Sequence, residues 1–341
     1  MSESVDFLIV GGGLAGQVLQ IQLAEKGYKT LVLDNAKHNH SSAVAAGIIN
    51  PLIGKFFTIS WRADEVFDEM DAFYRDAENR LKAQFFRPKS LFRIFATAGE
   101  QNIWLSKAHQ AKYKKYCNFE NSEITGFKSD YGVLQIHRGG ELDIKTFLAA
   151  SRKMYPNVQI DFDYNSLDLG AKKYNDVSFS QLVFCEGYQA LKNPFFRKDL
   201  LIPNKGELFE MECEGLEENA ICLGPVFIQP IGNKRFRVGS SYTPNEVSIE
   251  PTAFQLTDLQ QRLNKIIRVP YKVTNHFAGV RPTTGDRKPI LGTHSDYPFM
   301  HFFNGLGSKG ASLAPLMARE MVCYLVDGIP LPEDLNWNRF D

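Results

Sequence analysis

The residues with the plainest chemical use are the glycines of Gly11-Gly12-Gly13-Leu14-Ala15-Gly16, which fit G-x-G-x-x-G. Gly11 permits a tight turn. Gly13 lets a pyrophosphate approach the backbone, and Gly16 lets a helix pack close to its strands. The free N–H groups and positive dipole end of that helix, around Leu14 and Ala15, then face the phosphates. Asp34 is placed to accept hydrogen bonds from a ribose. A second glycine run, Asn304-Gly-Leu-Gly-Ser-Lys-Gly310, makes another anion-favouring turn through Gly305, Gly307, Ser308, Lys309 and Gly310. Ser41, Ser42, Ala46 and Gly47 are small enough for backbone to lie close against a ligand, and equally suit a plain small-residue loop.

These residues need elements to hold them. Phe7-Leu8-Ile9-Val10 reads as a short buried strand, and Val18, Leu19, Ile21, Leu23 and Ala24 as a helix that Gly27 stops. Thr30-Leu31-Val32-Leu33 is a second strand ending at Asp34, which completes a dinucleotide-binding unit. Gln20 stands where such helices usually carry a small residue, so slightly looser packing is expected. A long helix is expected over Asp64–Lys82, followed by a strand around Leu91–Phe95. Asp143 is a credible N-cap, strands follow at 158–160 and 180–184, and the latter ends in a turn at Gly187. From Leu201 to His276 short alternating runs predict an antiparallel sheet, with a hairpin at Gly232-Asn233 and a helix over about 257–267. The last glycine run opens a helix over about 311–326, ended by Gly328.

The bulk composition excludes more than it selects. The chain has 341 residues, enough for two domains, and 39 basic against 39 acidic residues. No global field therefore points to nucleic acid or membrane. Five scattered cysteines without C-x-x-C suit a reducing cytoplasm, and no apolar run is long enough to span a bilayer. His38 and His40 form the one close histidine pair and read as solvated loop, so no metal is expected. Lys107 to Tyr116 is the densest basic cluster; its interleaved tyrosines suit RNA contact or, more simply, a solvated helix face.

The marks taken together resemble the D-amino-acid-oxidase-like (DAO) family of FAD-dependent oxidoreductases. They are GGGLAG, SSAVAAGIINP at 41–51, GGELD at 139–143, VFCEG at 183–187, GVRPTTGDRKPILG at 279–292 and GLGSKGASLAP at 305–315. The resemblance covers nearly the whole chain and implies an α/β fold: a Rossmann-like FAD-binding domain with an antiparallel-sheet substrate domain. Residues 1–78, 141–203 and 279–341 would form the first, and 79–140 with 204–278 the second. It implies FAD, expected to be non-covalent because the cysteine nearest the last glycine loop is Cys323, inside a helix.

The resemblance further implies oxidation of a C–N bond by hydride transfer to flavin, followed by imine hydrolysis. Arg281 matches the family arginine that pairs with a substrate carboxylate; an ion pair with Asp286 or another acid is the other use of the group. Lys309 is a candidate assistant at the flavin, or a solvated lysine. Phe227 stands where small amino-acid oxidases of the family often place a tyrosine, and it cannot donate that hydrogen bond. GLGSKG also resembles the oxidase module of a bifunctional tRNA-modifying enzyme acting on a carboxymethylaminomethyl wobble uridine. The expected substrate is thus an amino acid or N-substituted glycine, with modified tRNA as the alternative. A flavin-binding scaffold without turnover and an NAD-dependent reductase are rivals of another class. Oligomeric state and electron acceptor leave no mark in the sequence.

Overall fold

The strand Glu3–Val10 lies at the centre of one sheet in a computed structural model that describes residues 3–35, 40–54, 56–120 and 123–340. Leu8 and Ile9 are fully buried, as expected of a parallel strand covered on both faces. Glu3–Val10 pairs in parallel with Thr30–Asp34 on one side and Val177–Phe184 on the other. Asn157–Gln159 extends the sheet beyond Thr30–Asp34, and Met300–Asn304 extends it beyond Val177–Phe184. Ile9, Val32, Val183 and His301 share one register row. The carboxyl ends of these strands therefore come together from distant parts of the chain, as open α/β sheets require of a ligand site.

The fingerprint helix Leu14–Glu25 packs between this sheet, the helix Ile144–Met154 and the helix Gly310–Asp327. Its packing corrects the expectation at Gln20. Gln20 is fully buried, and its Nε2 donates to the Pro156 carbonyl at 2.8 Å. Gln17 Nε2 donates to Asn157 Oδ1 at 2.8 Å, and Gln22 Nε2 to the Pro315 carbonyl at 3.0 Å. The helix buys close packing with satisfied amides rather than small residues. Pro315 lies inside Gly310–Asp327 and has no N–H for the Ala311 carbonyl four residues back. The Tyr74 hydroxyl donates to that carbonyl at 2.8 Å instead. Tyr74 belongs to the expected long helix, here Ala63–Leu81, which packs on the same element.

A second sheet has nine strands, built around Ile202–Glu212, which pairs antiparallel with Lys272–Thr283 and with Arg235–Gly239. Phe227–Gly232 and Arg235–Gly239 form the expected hairpin, with positive φ at Gly232, Asn233 and Lys234. Leu91–Ile94 joins beyond Ile221–Leu223. The helix expected over 257–267 is found at Ala253–Leu263. Thr252 sets its start, accepting from the Gln255 N–H while its hydroxyl donates to buried Glu207. Asp143 caps Ile144–Met154 as expected, accepting from the Thr146 N–H at 3.1 Å. His38 lies outside the described residues, and His40 opens a short helix, His40–Val44.

Candidate active site

One cavity of about 490 Å³ is lined both by the fingerprint and by Arg281. Gly11, Gly13, Leu14, Ala15 and Asp34 contribute from the first βαβ unit, and Ser41, Ser42, Ala46 and Gly47 from the small-residue segment. Gly187, Gly307, Ser308 and Gly310 also line it. Gly11 has φ +103°, so the turn depends on glycine. Gly16 does not line the cavity; a Cβ there would stand 1.9 Å from the Gly11 carbonyl oxygen, so it sets how closely helix and turn approach. Gly305 is likewise a packing residue, with φ +78° against Thr284 and Ile290.

Two helix N-termini open on this cavity. The N-caps are Gly13 and Lys309, and neither carries a side-chain cap bond. Of the first-turn groups, the Leu14 N–H reaches Ser42 Oγ at 3.4 Å. Uncapped first turns are donors for anionic groups. Asp34, 7% exposed, accepts from Arg152 Nη2 at 3.0 Å, and the same nitrogen donates to the Gly12 carbonyl at 2.9 Å. Asp34 Oδ1 has no partner among the described residues and remains an acceptor for a hydroxyl. Arg152 was not legible as a site residue: it lies in the last turn of a distant helix. This set of two anion-favouring turns, a hydroxyl acceptor and a long continuous cavity fits a dinucleotide.

Arg281 projects from Lys272–Thr283 into the same cavity. Its Nη1 donates to Asn204 Oδ1 at 3.1 Å and to the Ser241 carbonyl at 3.3 Å, and its Nη2 to Ser240 Oγ at 2.8 Å. All three acceptors are neutral. The ion pair with Asp286 does not form; Asp286 binds Arg339 Nε at 2.9 Å instead. Guanidinium carries five N–H donors, and those left over are on Nε and Nη2. Both are available to a carboxylate in the cavity. Burial pulls the Arg281 pKa down from its ordinary value, because no anion compensates the charge. The guanidinium lies flat over Gly206, where a Cβ would come within 2.1 Å of Nη2. Phe227 lines the cavity nearby, its ring packed over Gly239.

Lys309 is not a cavity-lining side chain, and neither is it simply solvated. Its Nζ donates to buried Ser60 Oγ at 3.2 Å, and burial, then the charge of Arg287, lowers its pKa to about 8. Glu186, part of the VFCEG mark but not singled out as a site residue, does line the cavity. It accepts from the Tyr164 hydroxyl at 2.5 Å and from Asn193 Nδ2 at 2.8 Å, and burial raises its carboxyl to about 7. The basic cluster is reduced by the fold. Tyr113 and Tyr116 are both 4% exposed, so they offer no stacking face, and Tyr113 packs edge-on against Trp104. Lys115 pairs with Asp64. Among the described residues no group of three or more His, Cys, Asp or Glu could hold a metal, and no helix is long and apolar enough to cross a membrane.

Comparison with known proteins places this geometry. The family model for FAD dependent oxidoreductases of the DAO type matches residues 6–324. A glycine oxidase of Bacillus licheniformis is 21% identical over 360 residues, covering 97% of this chain and 95% of that protein. The bifunctional tRNA 5-methylaminomethyl-2-thiouridine biosynthesis protein MnmC of Hahella chejuensis is 21% identical over 95% of this chain, which spans 57% of the length of that relative. The crystal structure of glycine oxidase from Geobacillus kaustophilus superposes with a TM-score of 0.78, at 18% identity and 96% coverage of both chains. With a family model that runs through both the fingerprint and the Arg281 block, the chain belongs to the DAO family of FAD-dependent oxidoreductases.

Proposed function

We propose that this oxidoreductase oxidises the C–N bond of an amine that carries a carboxylate, an amino acid or an N-substituted glycine. The observation that carries the reading is the part-buried Arg281 guanidinium, with neutral partners and donors left over on Nε and Nη2. A carboxylate seated there gains charge-assisted bonds and supplies the missing anion. FAD, when bound, supplies the two-electron acceptor. Gly13, Leu14 and Ala15 would receive its pyrophosphate, Asp34 its ribose hydroxyl, and the turn Gly307 to Gly310 its far end. Cys185, the cysteine that lines the cavity, has its thiol pushed well up by burial, which makes it a poor nucleophile and supports non-covalent FAD. Phe227 packs on the substrate without a hydrogen bond. The first sheet with its helices forms the FAD domain, and the nine-stranded sheet forms the substrate domain over it.

Arg281→Ala tests this. With FAD retained, kcat/KM for a carboxylated amine should fall by about a hundredfold, the loss of one or two charge-assisted bonds. Unchanged kinetics would remove the assignment. A second reading, a carboxymethylated wobble uridine in tRNA, is favoured by the similarity to MnmC over 95% of the chain. Arg281 would hold its carboxylate equally. Flavin bleaching by undermodified tRNA, with none by free amines, would select that reading.

A further inference from the structure

A second cavity, of about 160 Å³, adjoins the first. The two share Leu223 and Phe227 as walls: both residues line the large cavity and the small one. Arg281 belongs to the large side and Arg93 to the small side. Arg93 projects from Leu91–Ile94, where it stands beside Leu223 in strand register. Its side chain is only 13% exposed.

Arg93 is poorly compensated for so buried a charge. Its Nε has no hydrogen-bond partner among the described residues. Its carboxylate neighbour, Glu100, stands at the outer limit of a contact, 3.5 Å from Nη2. Glu100 is also committed elsewhere, since its Oε2 accepts from the Ala96 N–H at 3.2 Å. The remaining support is the face of the Phe57 ring, 5.6 Å from the guanidinium carbon. Asn50 lines the same cavity; its Oδ1 is taken by the Leu52 N–H, which leaves its amide donors. A small cavity holding a half-paired guanidinium and a spare amide is suited to an anion.

We propose that this second cavity is an anion subsite, and that the substrate is an amine with two acidic ends, one carboxylate on Arg281 and the acid of its N-substituent on Arg93. This rests on Arg281 as the holder of the first carboxylate. Phe227 gains a reason under this reading. It lines both cavities, so the alkyl arm of the substrate would pack on an apolar ring between its two acids. Arg93 is a binding residue for the distal acid and takes no part in the chemistry.

The test compares N-(ω-carboxyalkyl)glycines with N-alkylglycines of equal length, using wild type, Arg93→Met and Arg93→Lys, each with FAD content and melting temperature recorded. Binding is read separately by perturbation of the flavin absorption band with thioether analogues, which have sulfur in place of nitrogen and no C–N bond to break. Wild type should prefer the acidic arm over the neutral one by about tenfold to a hundredfold in both readouts. Arg93→Met should collapse that ratio, and Arg93→Lys should restore part of it. Equal handling of both arms by wild type, or a ratio unmoved in folded Arg93→Met, overturns the proposal. If the thioethers discriminate while no amine bleaches the flavin, the subsite stands and the amine-oxidising reading falls.

Discussion

Gly206→Ala should disable Arg281 without touching it. The guanidinium lies across Gly206, and an added Cβ would meet Nη2 at 2.1 Å and Cζ and Nη1 at 2.3 Å each. That is more than 1 Å inside the ordinary contact of 3.4 Å. Gly206 is in the middle of Ile202–Glu212, so its backbone is fixed by pairing with Gly279 on Lys272–Thr283. The side chain must therefore give way. A retreat of that size lengthens the bonds to Asn204, Ser240 and Ser241 past hydrogen-bonding range. The charge stays in the cavity while its alignment is lost. The expected cost is about one charge-assisted bond, roughly 1.5–3 kcal/mol, or about ten- to a hundredfold in kcat/KM. Anaerobic flavin reduction by a carboxylated amine measures it, with FAD content and melting temperature as controls. A neutral amine without a carboxylate should lose far less. Unchanged kinetics on the carboxylated amine, in a folded and FAD-loaded variant, would refute the argument that this arginine must lie flat on Gly206 to work.

Two titrating groups give further tests. Glu186 is held near 7 by burial, above the ordinary 4.5 of a glutamate. The native state thus binds the extra proton, so this group's contribution to stability is full below about 4.5 and is lost as pH rises through about 7. Glu186→Gln should flatten that slope in pH-resolved denaturation and stabilise the neutral-pH protein by about 2–4 kcal/mol; an unaltered slope counts against it. Lys309 is lowered to about 8, so flavin reduction should show an inflection near that pH. Lys309→Met should remove the inflection, and its survival would assign it to another group.

The sequence carries the parts of this fold whose signal is local. Gly11, Gly16 and Asp34 are read by spacing within one βαβ unit, and Gly328 by its position after an apolar helix, where it takes φ +69°. Other parts depend on pairing across long separations. Asn204, Ser240 and Ser241 meet Arg281 only because two strands from different regions flank a third, and nothing in their types announces a cradle. Tyr113 and Tyr116 sit in a lysine-rich run that looks solvated, yet Trp104 and Asp64 supply a pocket and a partner from elsewhere. The helix at Ala253–Leu263 starts earlier than its apolar pattern suggests because Thr252 is anchored on buried Glu207. Gln20 was legible as an oddity and not as a solution, since its acceptor, Pro156, belongs to the next crossover.

The order of strands bears on when this protein can receive FAD during synthesis. Glu3–Val10 needs Val177–Phe184 as a neighbour, and that strand needs Met300–Asn304. The Asn304 amide donates to the Gly187 carbonyl at 2.9 Å and ties two cavity turns together. The ribosome has therefore passed Asn304 before the cradle is whole. Glu3–Val10 can pair with Thr30–Asp34 as soon as both are made, but its other edge must wait for Val177–Phe184 while strands of the nine-stranded sheet are translated in between. FAD loading thus awaits Met300–Asn304, and a nascent chain halted before residue 300 should capture none.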